Sequence, residues 1–152
     1  MTKLNFIQNE FPQLVATLKP DAKGNWGVLN AQQMVEHMSD SIRIATGKDN
    51  QPLHTPIEKV EAMKTFAMSD KEFRPNTKNA LMSETPSPTR FKSINESIVE
   101  LKNTINDFIN YFETNKGATL TNPFFGELNF EEWITLLHKH AVHHCKQFGL
   151  LS

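Results

Sequence analysis

Between Ser93 and Gly117 the chain carries a seam of Ile94, Ile98, Leu101, Ile105, Phe108 and Phe112, recurring at steps of four, three, four, three and four. That is the period of one helix face, and an apolar face this regular must be covered by other helices. The spacing predicts a helix about five turns long, stopping near Asn115 to Gly117. Its start is marked by Ser93 with Glu96 three positions on, and the same polar-x-x-Glu/Gln signature occurs at Asn30 to Gln33, Thr55 to Glu58 and Asn129 to Glu132. Further helical seams run through Leu4, Ile7, Phe11, Leu14 and Leu18, and through Met34, Met38, Ile42 and Ala45. Pro12 kinks the first of these or begins it, because it lacks an amide hydrogen and crowds the preceding turn. No stretch alternates apolar and polar residues over strand length, and no hairpin dipeptide separates two apolar runs.

The expected fold is all-α: a single domain over residues 1–152, built as a four-helix bundle. Thr46 to Ser93 is too long for a tight turn and must act as one long crossover, carrying a short helix from Thr55-Pro56-Ile57-Glu58 to about Met68. The second half of that crossover, Ser69 to Lys92, holds Pro75, Pro86 and Pro88 without periodicity, and either drapes over one end of the bundle as a lid or has no role. A net charge of −1 without a Lys/Arg run gives no field for phosphates, so nucleic acid is not an expected partner. No apolar run approaches the ~20 residues that span a bilayer. The single cysteine, Cys145, cannot form an internal disulfide, and with no secretory signal a soluble, cytoplasmic protein is expected. Cys145 reads as an ordinary thiol, since neighbouring helix positions diverge by about 100° and His144 does not face it.

Six histidines are present, and the helix period separates them. Phe130, Trp133, Leu137, His140, His144 and Phe148 form one stripe, so His140 and His144 stack one turn apart where the core should be. With His140 at zero on a helical wheel, His144 falls about 40° away, His143 about 60° to the other side and His138 nearly opposite. His138 is therefore expected in solvent, His143 on the flank, and His54 in a loop. His37 lies in the apolar sector of the Asn30 helix, with Ser41 one turn on. If His37 met the pair across the bundle, three neutral nitrogens with open positions would describe a catalytic metal site, whereas a closed structural site usually draws on cysteines. Periodicity leaves that meeting open, because a lone histidine on an apolar face also serves as a hydrogen-bonded core residue. Glu36 and Asp40 follow no diagnostic spacing and read as a solvated flank.

The run from Trp26-Gly27-Val28-Leu29-Asn30 through Met34-Val35-Glu36-His37-Met38, the segment Asn122-Pro123-Phe124-Phe125-Gly126-Glu127-Leu128, and the H-x-x-H-H-x-x-Q core of His140 to Gln147 together resemble the DinB/YfiT-like superfamily. More narrowly they resemble a branch known only as a domain of unknown function, and the likeness covers almost the whole chain. It implies a four-helix bundle with one long crossover and a divalent metal, zinc or nickel, held by His37, His140 and His144. It also implies a thiol-dependent transferase or isomerase acting with a low-molecular-weight thiol, and a homodimer. Relatives often carry Arg-Gly-Gln after the paired histidines, where this chain has Cys145-Lys146-Gln147. Gln147 survives as a residue near the metal or substrate, but the lost arginine removes a bidentate anion clamp.

The chemistry expected of such a site is Lewis-acid polarisation, or activation of a bound water or thiol. A metal-dependent transferase or hydrolase for a small-molecule substrate is the leading expectation, with Gln147, Ser41 and His143 as supporting residues. The alternative is a helical bundle, metal-binding or metal-free, that acts by interaction in a stress response without turnover. Imidazoles bind metal when neutral, so affinity is expected to fall below about pH 6.5.

Overall fold

The computed structural model describes residues 2–75 and 85–152. The chain is mostly helical: α1 (Lys3–Asn5) runs through a π-helical turn (Phe6–Glu10) into α2 (Phe11–Val15), followed by α3 (Ala31–Arg43), α4 (Ile57–Met68), α5 (Ile94–Thr114) and α6 (Phe130–Gln147). A short antiparallel pair, β1 (Leu120–Asn122) and β2 (Gly126–Leu128), joins α5 to α6, with Thr121 opposite Glu127.

The seams lie where the period puts them. Ile94, Ile98, Leu101, Ile105, Phe108 and Phe112 of α5 are buried, as are Met34, Met38 and Ile42 of α3 and Trp133 and Leu137 of α6. The capping boxes at Asn30/Gln33 and Asn129/Glu132 form in both directions. At Ser93 the hydroxyl accepts from the Glu96 amide, while the Glu96 carboxylate meets that hydroxyl rather than the Ser93 amide.

Three local expectations need correction. Thr55 caps nothing: α4 starts beyond Pro56, and the His54 and Thr55 amides both donate to the Pro123 carbonyl, at 2.7 and 3.1 Å, fastening the crossover to the hairpin. Pro12 does not begin the first helix, which starts at Lys3, but a new α-helical stretch, α2, opens there with Pro12 in its first turn. The chain widens into the π turn just before it, with the Phe11 amide donating to the Phe6 carbonyl five residues back. The extra residue rotates the buried face to Phe6, Ile7, Phe11 and Val15, leaving Leu14 and Leu18 only half-buried. The two strands were not expected at all. Each has three residues, too few to show alternation, and the Asn122 side chain shapes their turn by accepting from the Phe124 and Phe125 amides.

Side-chain pairs give the helix directions. From Glu36–Ser97 to Arg43–Glu100 on α3, and on to Lys48–Asp107 just past its end, partners advance together along α5, so α3 and α5 run parallel. Parallel neighbours need a long return, which is what the Gly47–Lys92 crossover provides. Trp26 meets Gln147 and His37 meets His140, so α3 and α6 run antiparallel.

The described parts of the expected lid are fixed to the bundle from both ends. Lys139 of α6, itself buried, donates from Nζ to the Ser69 carbonyl at 2.9 Å and to the Lys71 carbonyl, and sits 4.7 Å above the Phe66 ring. Lys146 pairs with Glu72 at 2.6 Å. At the far end Glu36 is buried, not solvated. Its carboxylate accepts from the Arg90 amide at 2.7 Å and from the Ser97 hydroxyl at 2.8 Å. Asp40 stays exposed and pairs with Arg43 and Arg90. Residues 76–84, the middle of the expected lid, lie outside the described residues.

Candidate metal centre

α3 and α6 bring His37, His140 and His144 together near the end of the bundle where α6 finishes. The Nε2 atoms of His37 and His140 are 3.1 Å apart, and those of His140 and His144 are 2.9 Å apart. Ring centroids lie 4.7 to 5.1 Å from one another, with His37 edge-on to both partners. One ligand atom from each residue falls within 4.8 Å of the others, so the set could hold a metal ion. Metal–nitrogen bonds of 2.0–2.1 Å at tetrahedral angles put neighbouring nitrogens about 3.3 Å apart, a few tenths from the spacing seen here.

Protons alone serve this cluster poorly. Each neutral imidazole Nε2 offers one hydrogen or one lone pair. The Nε2 of His140 faces two other Nε2 atoms, so only one of its two contacts can be a well-directed hydrogen bond. A cation at the centre would accept all three lone pairs.

Burial keeps the rings neutral. Desolvation lowers the His37 pKa to about 4 against the opposing pull of Asp40, and lowers that of His144 to about 3. It also drives His140 well below the ordinary value, helped by the neighbouring rings of His144, His37 and His143. His144 is buried, while His37 and His140 keep partial exposure, so the cluster is not sealed on every side.

The surrounding residues separate from the expectations in detail. Gln147 is buried, with Oε1 2.7 Å from His144 Nδ1 and Nε2 2.8 Å from the Trp26 carbonyl. His143 adjoins the cluster 5.1 Å from the His144 ring and contacts Trp26 and Phe73, and desolvation lowers its pKa against a hydrogen bond to the Phe73 backbone. Ser41 contributes nothing to the rings, since its hydroxyl donates to the backbone carbonyl of His37. His138 is half-buried instead of solvated: the π turn brings Phe6 edge-on to it at 5.1 Å, and desolvation lowers its pKa. His54 is an exposed loop residue resting against Phe124. Cys145 is fully buried and its thiol is pushed up to about 12, which removes it as a nucleophile.

Phe73 was missed from sequence. Its ring lies 6.2 Å from His140 and 5.9 Å from His143, held there by the anchors of the crossover. The sequence signal was slight, a lone aromatic in an aperiodic segment. Lys139 was missed for a different reason, because a lysine beside a histidine on a helix ordinarily reads as solvated.

Comparison with family models, with curated proteins and with solved structures returned no match for this chain. Among the described residues, no helix is long and apolar enough to cross a membrane.

Proposed function

We propose that this chain is a metal-dependent enzyme of the DinB/YfiT-like kind, a thiol-dependent transferase or a hydrolase acting on a small molecule. The observation that carries the reading is the His140 Nε2 facing both His37 and His144 Nε2 at 3.1 and 2.9 Å, an arrangement that a cation satisfies and protons do not. Zinc and nickel both suit three neutral imidazoles. Such an ion, held with positions open, supplies Lewis acidity and lowers the pKa of a bound water or low-molecular-weight thiol. The protein's own part is to keep three lone pairs available through burial and to orient His144 through Gln147. The partly exposed edges of His37 and His140 leave the small molecule an approach. A homodimer accompanies this reading, as in the superfamily it resembles.

Elemental analysis of untagged protein tests the metal, and a screen of the loaded protein with common thiols, electrophiles and esters tests the turnover. His140→Ala should abolish metal retention and His138→Ala should preserve it; equal metal content in the two variants would sink the ligand assignment. The Phe73 ring against His140 favours the other reading, a bundle acting by interaction in a stress response, since it narrows access to the centre. Loaded protein that admits neither azide nor a small thiol to the metal would decide for that reading.

A further inference from the structure

One amide beside the three histidines is held more firmly than a lining residue needs to be. Gln147 is buried at 4% exposure, and both ends of its side-chain amide are engaged. The Trp26 carbonyl can only accept, so the amide nitrogen must face it and the amide oxygen must face His144. That oxygen also only accepts, so Nδ1 of His144 carries the hydrogen. The Nε2 of His144, 2.9 Å from His140 Nε2, is thereby left with its lone pair facing the cluster.

The grip on Gln147 comes from a turn 121 positions upstream. The Asn25 amide donates to the Gln147 carbonyl at 2.7 Å. A Cβ added at Gly24 would stand 2.8 Å from Gln147 Cγ and 2.9 Å from the Trp26 carbonyl oxygen. One added at Gly27, where φ is +79°, would stand 2.8 Å from Gln147 Nε2. The turn therefore closes on the last turn of α6 at a distance that only glycine permits.

We infer that Gln147 is a positioning residue clasped by the Gly24–Gly27 turn, and that this surface turn sets the tautomer of His144 and through it the metal affinity of the centre. By reciprocity, metal loading steadies the turn. The tautomer half stands on hydrogen bonding alone; the affinity half rests on the metal reading above.

The test uses the full chain with ¹⁵N-labelled histidine. In metal-free wild type, His144 should show a single tautomer with the hydrogen on Nδ1. Gln147→Met should mix the tautomers and weaken zinc binding by about 10- to 100-fold, the range seen when a ligand histidine loses its outer partner. Gln147→Glu keeps an oxygen facing Nδ1 but sets a second acceptor against the Trp26 carbonyl, so it should hold the tautomer and recover only part of the affinity. Gly24→Ala should weaken binding in the same direction as Gln147→Met, and zinc should slow hydrogen exchange at the Asn25 amide of wild type. A His144 protonated on Nε2 in wild type would overturn the inference, as would a Gln147→Met protein that binds zinc like wild type. If wild type binds neither zinc nor nickel, the metal reading and the affinity half fail together, while the tautomer comparison still decides the positioning half.

Discussion

The carboxylate of Glu36 accepts the hydroxyl of Ser97 at 2.8 Å, joining the buried faces of α3 and α5 one residue from His37. The same carboxylate accepts the Arg90 amide at 2.7 Å, so one buried side chain fastens the end of the crossover and fixes the helix that carries the first histidine.

Glu36→Ala should therefore destabilise the metal-free protein by about 1–3 kcal/mol, because the Arg90 amide loses its acceptor and the Ser97 hydroxyl keeps only a longer bond, 3.4 Å, to the Ser93 carbonyl. The Arg90 guanidinium, 3.9 Å away and 41% exposed, adds little to that figure. Urea denaturation measures it, and a loss below about 0.5 kcal/mol, the range of an ordinary surface substitution, would mean that the carboxylate does not anchor the crossover.

Acid should weaken the metal-free fold well before it protonates the site. The unfolded chain's histidines take up protons below about pH 6.5, while His37 and His144 stay neutral in the fold until about pH 4 and 3. The unfolded state then binds more protons, so stability falls as pH drops through that window, by about 1.4 kcal/mol per pH unit for each histidine involved. His37→Phe should reduce the slope of stability against pH between pH 6.5 and 4 by one histidine's share, about 1.4 kcal/mol per pH unit, and an unchanged slope would refute the linkage.

The lowered pKa values of the rings predict a pH profile for metal affinity different from the one the ordinary imidazole pKa suggests. Protons compete for the folded site only near the depressed values, about 4 for His37 and about 3 for His144. Zinc affinity of the folded protein should hold roughly level from pH 7 to 5 and fall only as pH approaches 4. Competition titrations with a chromophoric chelator check this, and a steady loss starting at pH 6.5 would show that burial does not keep the rings neutral.

Lys139 offers a test of the crossover's anchoring. Lys139→Met keeps much of the stem's packing but removes the donor to the Ser69 and Lys71 carbonyls. Hydrogen exchange around residues 69–73 should speed up, and stability should fall by about 1–3 kcal/mol. Unchanged exchange there would show that Phe73 is held over His140 by other contacts.

Chelation should leave the helical circular dichroism intact, since the core of Phe11, Met34, Leu101, Phe108 and Trp133 is buried without help from the histidines. Loss of the helical signal on metal removal would make the centre structural.

The sequence by itself determined α3, α5 and α6 and their buried faces, because period, capping residues and chain length act locally. Ile94 to Phe112, the Asn30 and Asn129 boxes, and the His140/His144 stripe all follow from spacing along one helix. Only the tertiary structure decided what meets across helices. His37 and His140 are 103 positions apart, and no periodicity can show that their nitrogens approach to 3.1 Å. Glu36 and Lys139 read as solvated on any wheel, yet each is buried because a distant segment supplies its hydrogen bonds. The π turn before Pro12 arises locally, but its consequence, Phe6 against His138, appears only when α6 packs beside it. Burial and long-range hydrogen bonding belong to the assembled chain, and they give the three imidazoles their neutrality and orientation.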